Sequence, residues 1–304
     1  MTKNPKIRLL LMPAIALLTL AIALSSCSSP TPDTSPKPSA TSASSNPTQS
    51  TVSQLSGTVT ESGSTTVQPL AEKLAAAFMK ANPKVTVTIQ GGGTGVGIKS
   101  AQDGTVDIGA ASRELTADEA KTLTPWLLAR DGIAIIVNPK STVNGLTKAQ
   151  IRNIFSGNIT TWKDVGGIDA KINVVSREEG SGTRTAFQDL VMGNDANGKP
   201  INIINSAIFQ SSNGAIKQVV VGDVNSIGYL SLGYLDATVK ALPVEGVAAT
   251  EENSKSGKYP IVRPLYFVTS ITKQPAGVVK AFLDYCQSAD VQKIIADEGY
   301  VSVK

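Results

Sequence analysis

Ile172-Asn173-Val174-Val175-Ser176-Arg177-Glu178-Glu179-Gly180-Ser181-Gly182-Thr183-Arg184-Thr185-Ala186-Phe187-Gln188-Asp189-Leu190-Val191 is the stretch from which the rest of the chain is read. The apolar run Ile172 to Val175 predicts a buried strand, and Thr183 to Val191 predicts a helix. The Gly/Ser/Thr turn between them gathers free backbone N–H groups and two hydroxyls at a helix start. The helix dipole adds partial positive charge there, so the point attracts an anion. Arg177 and Arg184 flank the turn with planar forks that suit oxyanions. Taken alone, the stretch fits an ordinary capped helix with solvated arginines equally well.

The same strand–turn–helix unit recurs on both sides. Upstream, strands are predicted at Thr58 to Ser62, Val85 to Ile89, Val106 to Ala110 and Ile133 to Val137. Helices are predicted from the Val67, Leu70, Leu74, Phe78 spacing to Asn82, from Gly95 to Asp103, and from Thr147, a plausible cap, to Phe155. Downstream come a helix at Ser212 to Val221, strands at Ser226 to Leu230 and Pro264 to Val268, and helices at Ala276 to Ser288 and Ala289 to Asp297. Regular alternation implies an α/β fold with a largely parallel sheet. Ligands of such sheets bind beyond the carboxyl ends of the strands, where the Gly/Ser/Thr clusters fall.

The N-terminus reads as a targeting segment. Lys3, Lys6 and Arg8 precede the 16-residue apolar run Leu9 to Leu24, interrupted by Pro13 and Thr19. This is short for a span of about 20 residues and suits a secretory signal. Leu24-Ser25-Ser26-Cys27 resembles the lipobox of bacterial lipoproteins, which implies cleavage after residue 26 and lipidation of Cys27. The alternative is an uncleaved anchor helix. Ser28 to Ser56 is a tether rich in Ser, Thr and Pro that cannot bury enough surface to order itself. Residues 1–26 hold three basic and no acidic residues, so cleavage lowers the net charge from +4 to +1. No basic cluster marks a nucleic-acid surface.

The chain has no histidine and two cysteines, Cys27 and Cys286. Histidine-based triads and His-ligated zinc are therefore excluded. Cys286, in the pattern Val278, Val279, Phe282, Leu283, reads as a buried structural thiol. No cofactor or metal site is expected, since no acidic spacing matches a calcium loop.

Three further turns share the logic of the first. Ser62-Gly63-Ser64-Thr65-Thr66 offers the hydroxyls and N–H groups of Ser64 and Thr65 at a helix start, or simple capping. Gly91 to Gly97 holds five glycines in seven residues and carries Thr94. It fails as a P-loop because Ile98 separates Gly97 from Lys99, so the choice lies between a surface loop and an anion-binding nest. Ala111-Ser112-Arg113-Glu114 offers Ser112 as a donor, with Arg113 either a donor or half of a surface ion pair. Four such turns without a nucleophile–base pair point to binding of a small tetrahedral oxyanion rather than to an enzyme.

With GSTTVQPLAEKL (63–74), QGGGTGVGIKSAQDGTVDIGAASREL (90–115), IRNIFSGNITTWKDVGG (151–167), VVSREEGSGTR (174–184) and GDVNSIGYLSLGYL (222–235), the chain from Gly57 onward resembles the phosphate-binding lipoproteins of bacterial ABC importers. That resemblance implies a two-lobed type II periplasmic-binding-protein fold hinged on two crossing strands. Lobe I would be 57–136 plus 263–304 and lobe II 137–262, with inorganic phosphate held between them. It implies phosphate donors at Ser64, Thr65, Thr94, Ser112, Arg177, Ser181, Gly182 and Thr183, supported by Arg113, Glu179 and Arg184. Ser112 is a departure, because many relatives carry Asp there. Such an Asp accepts the phosphate proton and repels sulfate, whereas a serine can donate or accept. Glu61, Asp107 and Glu179 are candidates to supply that acceptor. The implied partners are membrane permease subunits and the membrane itself, through Cys27, for a monomer on the extracytoplasmic face. The alternatives are a receptor for sulfate, molybdate or tungstate, and a surface signalling or adhesion protein without transport.

Overall fold

A computed structural model describes residues 55–304. The signal segment, Cys27 and the tether up to residue 54 lie outside the described residues. The chain runs β1 (Ser56–Gly63), α1 (Gln68–Ala81), β2 (Lys84–Gln90), α2 (Thr94–Gln102), β3 (Ile108–Ala111), β4 (Leu123–Val137), α3 (Lys148–Phe155), β5 (Asn173–Arg177), α4 (Gly182–Phe187), β6 (Ile208–Gln210), α5 (Asn213–Gly222), β7 (Ser226–Ser231), β8 (Lys240–Leu242), α6 (Glu251–Lys255), β9 (Val262–Ser270), α7 (Gly277–Cys286) and α8 (Ala289–Asp297). The strand order is β2-β1-β3-β9-β4-β7-β5-β6, with β8 added on β4.

The sheet is mixed, not largely parallel. Parallel pairs occur at its two ends, where β1 lies beside β2 and β3, and β5 beside β6 and β7. Every pair involving β4 or β9 is antiparallel. Strand β9 lies between β3 and β4 and runs opposite to both. Strand β4 serves both halves of the sheet. Leu123 to Gly132 pairs with β9, and Ile133 to Val137 pairs with β7.

The sequence reading found only Ile133 to Val137 of this 15-residue strand. Those five residues are buried on both faces. Ile133, Ile135 and Val137 join one core with α3 and β7, while Ala134 and Ile136 join another with Ile216 and Val220 of α5. Burial on both faces produces a continuous apolar run rather than an alternating one. The upstream half contains Pro125, Arg130 and Asp131, which break the apolar pattern, and a bulge between Leu127 and Ala129. A further core gathers α1, α7, α8 and the strands β1, β2, β3 and β9.

Most helix ends follow the local chemistry. Thr147 closes a capping box with Gln150 at the start of α3. Pro83 follows Asn82, the C-cap of α1. The predicted helix at Thr183 to Val191 becomes α4 followed by a π-helical turn, Gln188–Met192. Cys286 is fully buried in the α7 core, as its spacing suggested. Among the described residues, no helix is long and apolar enough to cross a membrane.

Candidate functional site

The polar turns after β1, β2, β3 and β5 meet at one point, joined by the start of α5. Ser64 is buried, and its Oγ accepts from the N–H groups of Thr66 and Val67 at 3.2 and 3.4 Å. Thr94 opens α2 and is fully buried. Its Oγ1 accepts from the Ser112 N–H at 3.1 Å and lies 3.4 Å from Ser112 Oγ. Helix α2 can lie this close to the sheet because Gly97 has no side chain. A Cβ there would stand 2.7 Å from the carbonyl oxygens of Ser62 and Ala110.

Arg177 ends β5 with its side chain 1% exposed. The strand end is fixed by Tyr229, whose ring stacks on Phe187 at 4.1 Å and whose hydroxyl accepts from the Arg177 N–H at 3.3 Å. Two guanidinium nitrogens, Nε and Nη2, donate to the two carboxylate oxygens of Glu178 at 2.9 Å each. Nη2 also reaches Thr65 Oγ1 at 3.2 Å. Nη1 is buried with no hydrogen-bond partner among the described residues. A buried guanidinium edge left unpaired is costly, so it marks where an acceptor belongs.

Ser181 caps α4, its Oγ accepting from the Arg184 N–H at 3.3 Å. Gly182 and Thr183 supply the first N–H groups of that helix, which have no helical carbonyl to pair with. Gly182 is wedged so tightly that a Cβ would lie 2.3 Å from Thr94 Oγ1 and 2.7 Å from Ser112 Oγ. Thr183 Oγ1 lies 3.1 Å from Thr66 Oγ1. The Gly95 N–H donates to the Gly180 carbonyl at 2.9 Å, closing one rim of the cluster.

The structure thus brings together Ser64, Thr65, Thr94, Ser112, Arg177, Ser181, Gly182 and Thr183. Three supporting candidates fare differently. Arg184 stands behind the site, donating to the Arg177 carbonyl at 3.2 Å and covering the Phe209 ring at 5.1 Å. Arg113 turns away to a two-pronged pair with Glu119 at 2.7 and 2.8 Å, the ion-pair reading of that residue. Glu179 is exposed at the rim.

Neither of the other proposed acceptors lies in the cluster. Asp107 accepts from Thr60 and Lys273 at the far end of β3. Glu61 sits in the core 2% exposed, with one carboxylate oxygen unpaired. Burial, with a smaller push from Glu72, holds its carboxyl well above the usual 4.5. A raised folded value means that this group favours folding most below about pH 4.5, and that the contribution is lost as pH climbs through the raised value. Glu61→Gln should therefore be more stable than the parent near neutral pH and flatten the pH dependence above 4.5. Urea unfolding across that range reads the effect; parallel curves for the two proteins would refute it.

Several key residues escaped the sequence reading. Thr66 and Asn213 are fully buried beside the named threonines. Asn213 Nδ2 donates to Thr66 Oγ1 at 3.0 Å and Thr65 Oγ1 at 3.4 Å. Asp131 of β4 and Arg263 of β9 form a buried pair at 2.8 Å, 0% and 1% exposed. Arg263 also donates to Thr66 Oγ1 and the Ser112 carbonyl, each at 3.1 Å. Burial pushes the Asp131 carboxyl up, opposed by Arg263. The available signals were Ser212-Asn213 opening a predicted helix and the charges Asp131 and Arg263, each just ahead of a predicted apolar strand. Arg177 and Arg263 each carry their own carboxylate, so an anion would be held largely by N–H groups, hydroxyls and one unpaired guanidinium edge. Among the described residues, no three metal-ligating side chains cluster.

Known proteins resemble this chain over most of its length. The sequence model of the PBP superfamily domain matches residues 42–290. The phosphate-binding protein PstS of Bacillus subtilis is 36% identical over 256 residues, covering 82% of each chain. PstS of Borreliella burgdorferi is 30% identical over 80% of this chain and 88% of its own. A Clostridium perfringens chain described as a phosphate ABC transporter substrate-binding protein, solved with bound phosphate, is 40% identical. It superposes with a TM-score of 0.76 over 82% of this chain and all of its own. An ABC-type phosphate transport receptor of Vibrio cholerae is 36% identical, with a TM-score of 0.66 over 80% of this chain and 99% of its own.

Proposed function

The chain belongs to the PBP superfamily and, within it, to the phosphate-binding proteins, and from that membership we propose that it captures inorganic phosphate and delivers it to an ABC importer. The observation that carries this reading is the buried Arg177 Nη1, unpaired among helix-start N–H groups and hydroxyls. Several charge-assisted bonds, each contributing about 1.5–3 kcal/mol, would hold a tetrahedral anion there.

Phosphate lies between lobe I (57–136 plus 263–304) and lobe II (137–262), contacted by Ser64, Thr65, Thr94, Ser112, Arg177, Ser181, Gly182 and Thr183. Lobe motion is carried by β4, which pairs with β9 in one half of the sheet and with β7 in the other, and by the chain where it enters β9. Docking on permease subunits reopens the lobes. The protein acts as a monomer outside the cytoplasm, anchored by lipid on Cys27. Its relatives are named as binding proteins, and it performs no chemistry on the anion. Titration calorimetry of the detergent-solubilised full chain should give saturable heat with micromolar phosphate. Absence of heat at that concentration would reject the reading.

A further inference from the structure

We propose that the hydrogen-bond network behind the site locks its other threonine hydroxyls as donors and leaves Ser112 Oγ to accept the proton of monohydrogen phosphate. The inference rests on the phosphate-binding reading above and deepens it, by naming the protonated form that is held and the group that recognises it.

A hydroxyl donates once and accepts at most twice. Asn213 has a fixed orientation, because its Oδ1 accepts from the Ser231 backbone N–H at 3.2 Å. Its Nδ2 must therefore donate, to Thr66 Oγ1 at 3.0 Å and Thr65 Oγ1 at 3.4 Å. Arg263 Nη2, which can only donate, reaches Thr66 Oγ1 at 3.1 Å. Both acceptor positions of Thr66 are then filled, and its proton goes to Thr183 Oγ1. Thr183 in turn directs its own proton away from Thr66, toward the anion. Thr65 Oγ1 is filled in the same way by Asn213 and Arg177, so its proton also points outward. Ser64 Oγ accepts two backbone N–H groups and Ser181 Oγ accepts one. Asn213 and Arg263 are thus positioning residues that set the polarity of these hydroxyls without touching the ligand themselves.

Ser112 differs. Among the described residues, no N–H group donates to its Oγ, and its one neighbour within hydrogen-bond distance is Thr94 Oγ1, at 3.4 Å. Thr94 already accepts from the Ser112 N–H, which leaves one lone pair for the Ser112 proton. In that arrangement Thr94 donates to the anion, Ser112 donates to Thr94, and the lone pairs of Ser112 face the anion's hydroxyl. The site then offers donors to three oxygens of monohydrogen phosphate and an acceptor to the fourth. Sulfate has no proton to offer, so the Ser112–Thr94 pair gives it no comparable advantage.

The test is the ratio of phosphate to sulfate affinity at about pH 8, measured by calorimetry on the detergent-solubilised full chain. In Ser112→Ala the phosphate proton is left unpaired in a dry site, so phosphate affinity should fall about 10- to 100-fold. Sulfate affinity should fall only a few-fold, narrowing the ratio about 10-fold. Thr94→Val keeps the volume but removes the acceptor for the Ser112 proton, and should narrow the ratio in the same direction even if Ser112→Ala folds poorly. Unchanged phosphate affinity in both variants, or equal losses for both anions, overturns the inference while leaving phosphate capture intact. Failure of the parent chain to bind phosphate overturns the underlying reading and this inference with it.

Discussion

Arg177→Ala should abolish phosphate binding at micromolar concentration and leave the fold in place. The guanidinium is buried, and it is the cation with an unpaired edge at the cluster. Truncating one side of a buried charged hydrogen-bond pair costs about 2–5 kcal/mol, roughly 30- to several thousand-fold in affinity. Folding tolerates the change because Glu178 is 31% exposed and can be solvated, and the Gln210 and Ser211 carbonyls that also accept from Arg177 are only partly buried. Arg177→Lys should lose most of the affinity too. A point charge cannot hold Glu178 along one edge while reaching Thr65 and the anion with the others. Calorimetry reads the loss, and circular dichroism confirms the fold. Micromolar affinity retained in Arg177→Ala would remove this residue from the site.

The second large effect concerns stability. Asp131→Ala leaves Arg263 buried without its carboxylate and should cost about 3–5 kcal/mol. For a domain of this size that lowers the melting temperature by roughly 6–20 °C. The loss spreads to the site, because Arg263 holds the Ser112 carbonyl and Thr66 Oγ1. It also spreads to β7, since Asp131 Oδ1 accepts from the Ser231 hydroxyl at 2.9 Å and the Leu232 N–H at 3.2 Å. Replacing both partners, as in Asp131→Ala with Arg263→Met, should recover much of the stability, since no buried charge remains. Phosphate affinity should stay reduced, because Thr66 then loses a donor. A single variant melting within a degree or two of the parent would show that the pair carries little. Failure of the double variant to recover would locate the cost in packing rather than charge.

These two residues mark the boundary of what could be read from the sequence. Arg177 was legible because it adjoins its own turn: strand, Gly-Ser-Gly-Thr and helix start lie within a few residues, and local chemistry defines them. Asp131 and Arg263 were not, because each reads alone as a charge just ahead of an apolar strand. They are 132 residues apart and become a pair only when β4 and β9 lie antiparallel. Asn213 was half legible: the helix start at Ser212 was expected, but its reach to Thr65 and Thr66 spans nearly 150 residues of sequence. Arg113 failed for the opposite reason. It sits in the right turn, but Glu119 is close enough to pair with it and hold it away.

The sequence by itself determined the alternation of strands and helices, the four donor-rich turns and the exclusion of histidine chemistry. All of these depend on periodicity, capping and composition within a few residues. The tertiary structure alone decided the mixed sheet and the pairing of β4 with both of its halves. It also decided the buried Asp131–Arg263 pair and which donors reach the hydroxyls of Thr65 and Thr66. A hydroxyl carries no intrinsic polarity. Which way it points is set by the donors that fill its lone pairs, and here those donors arrive from strands and helices far away in the chain.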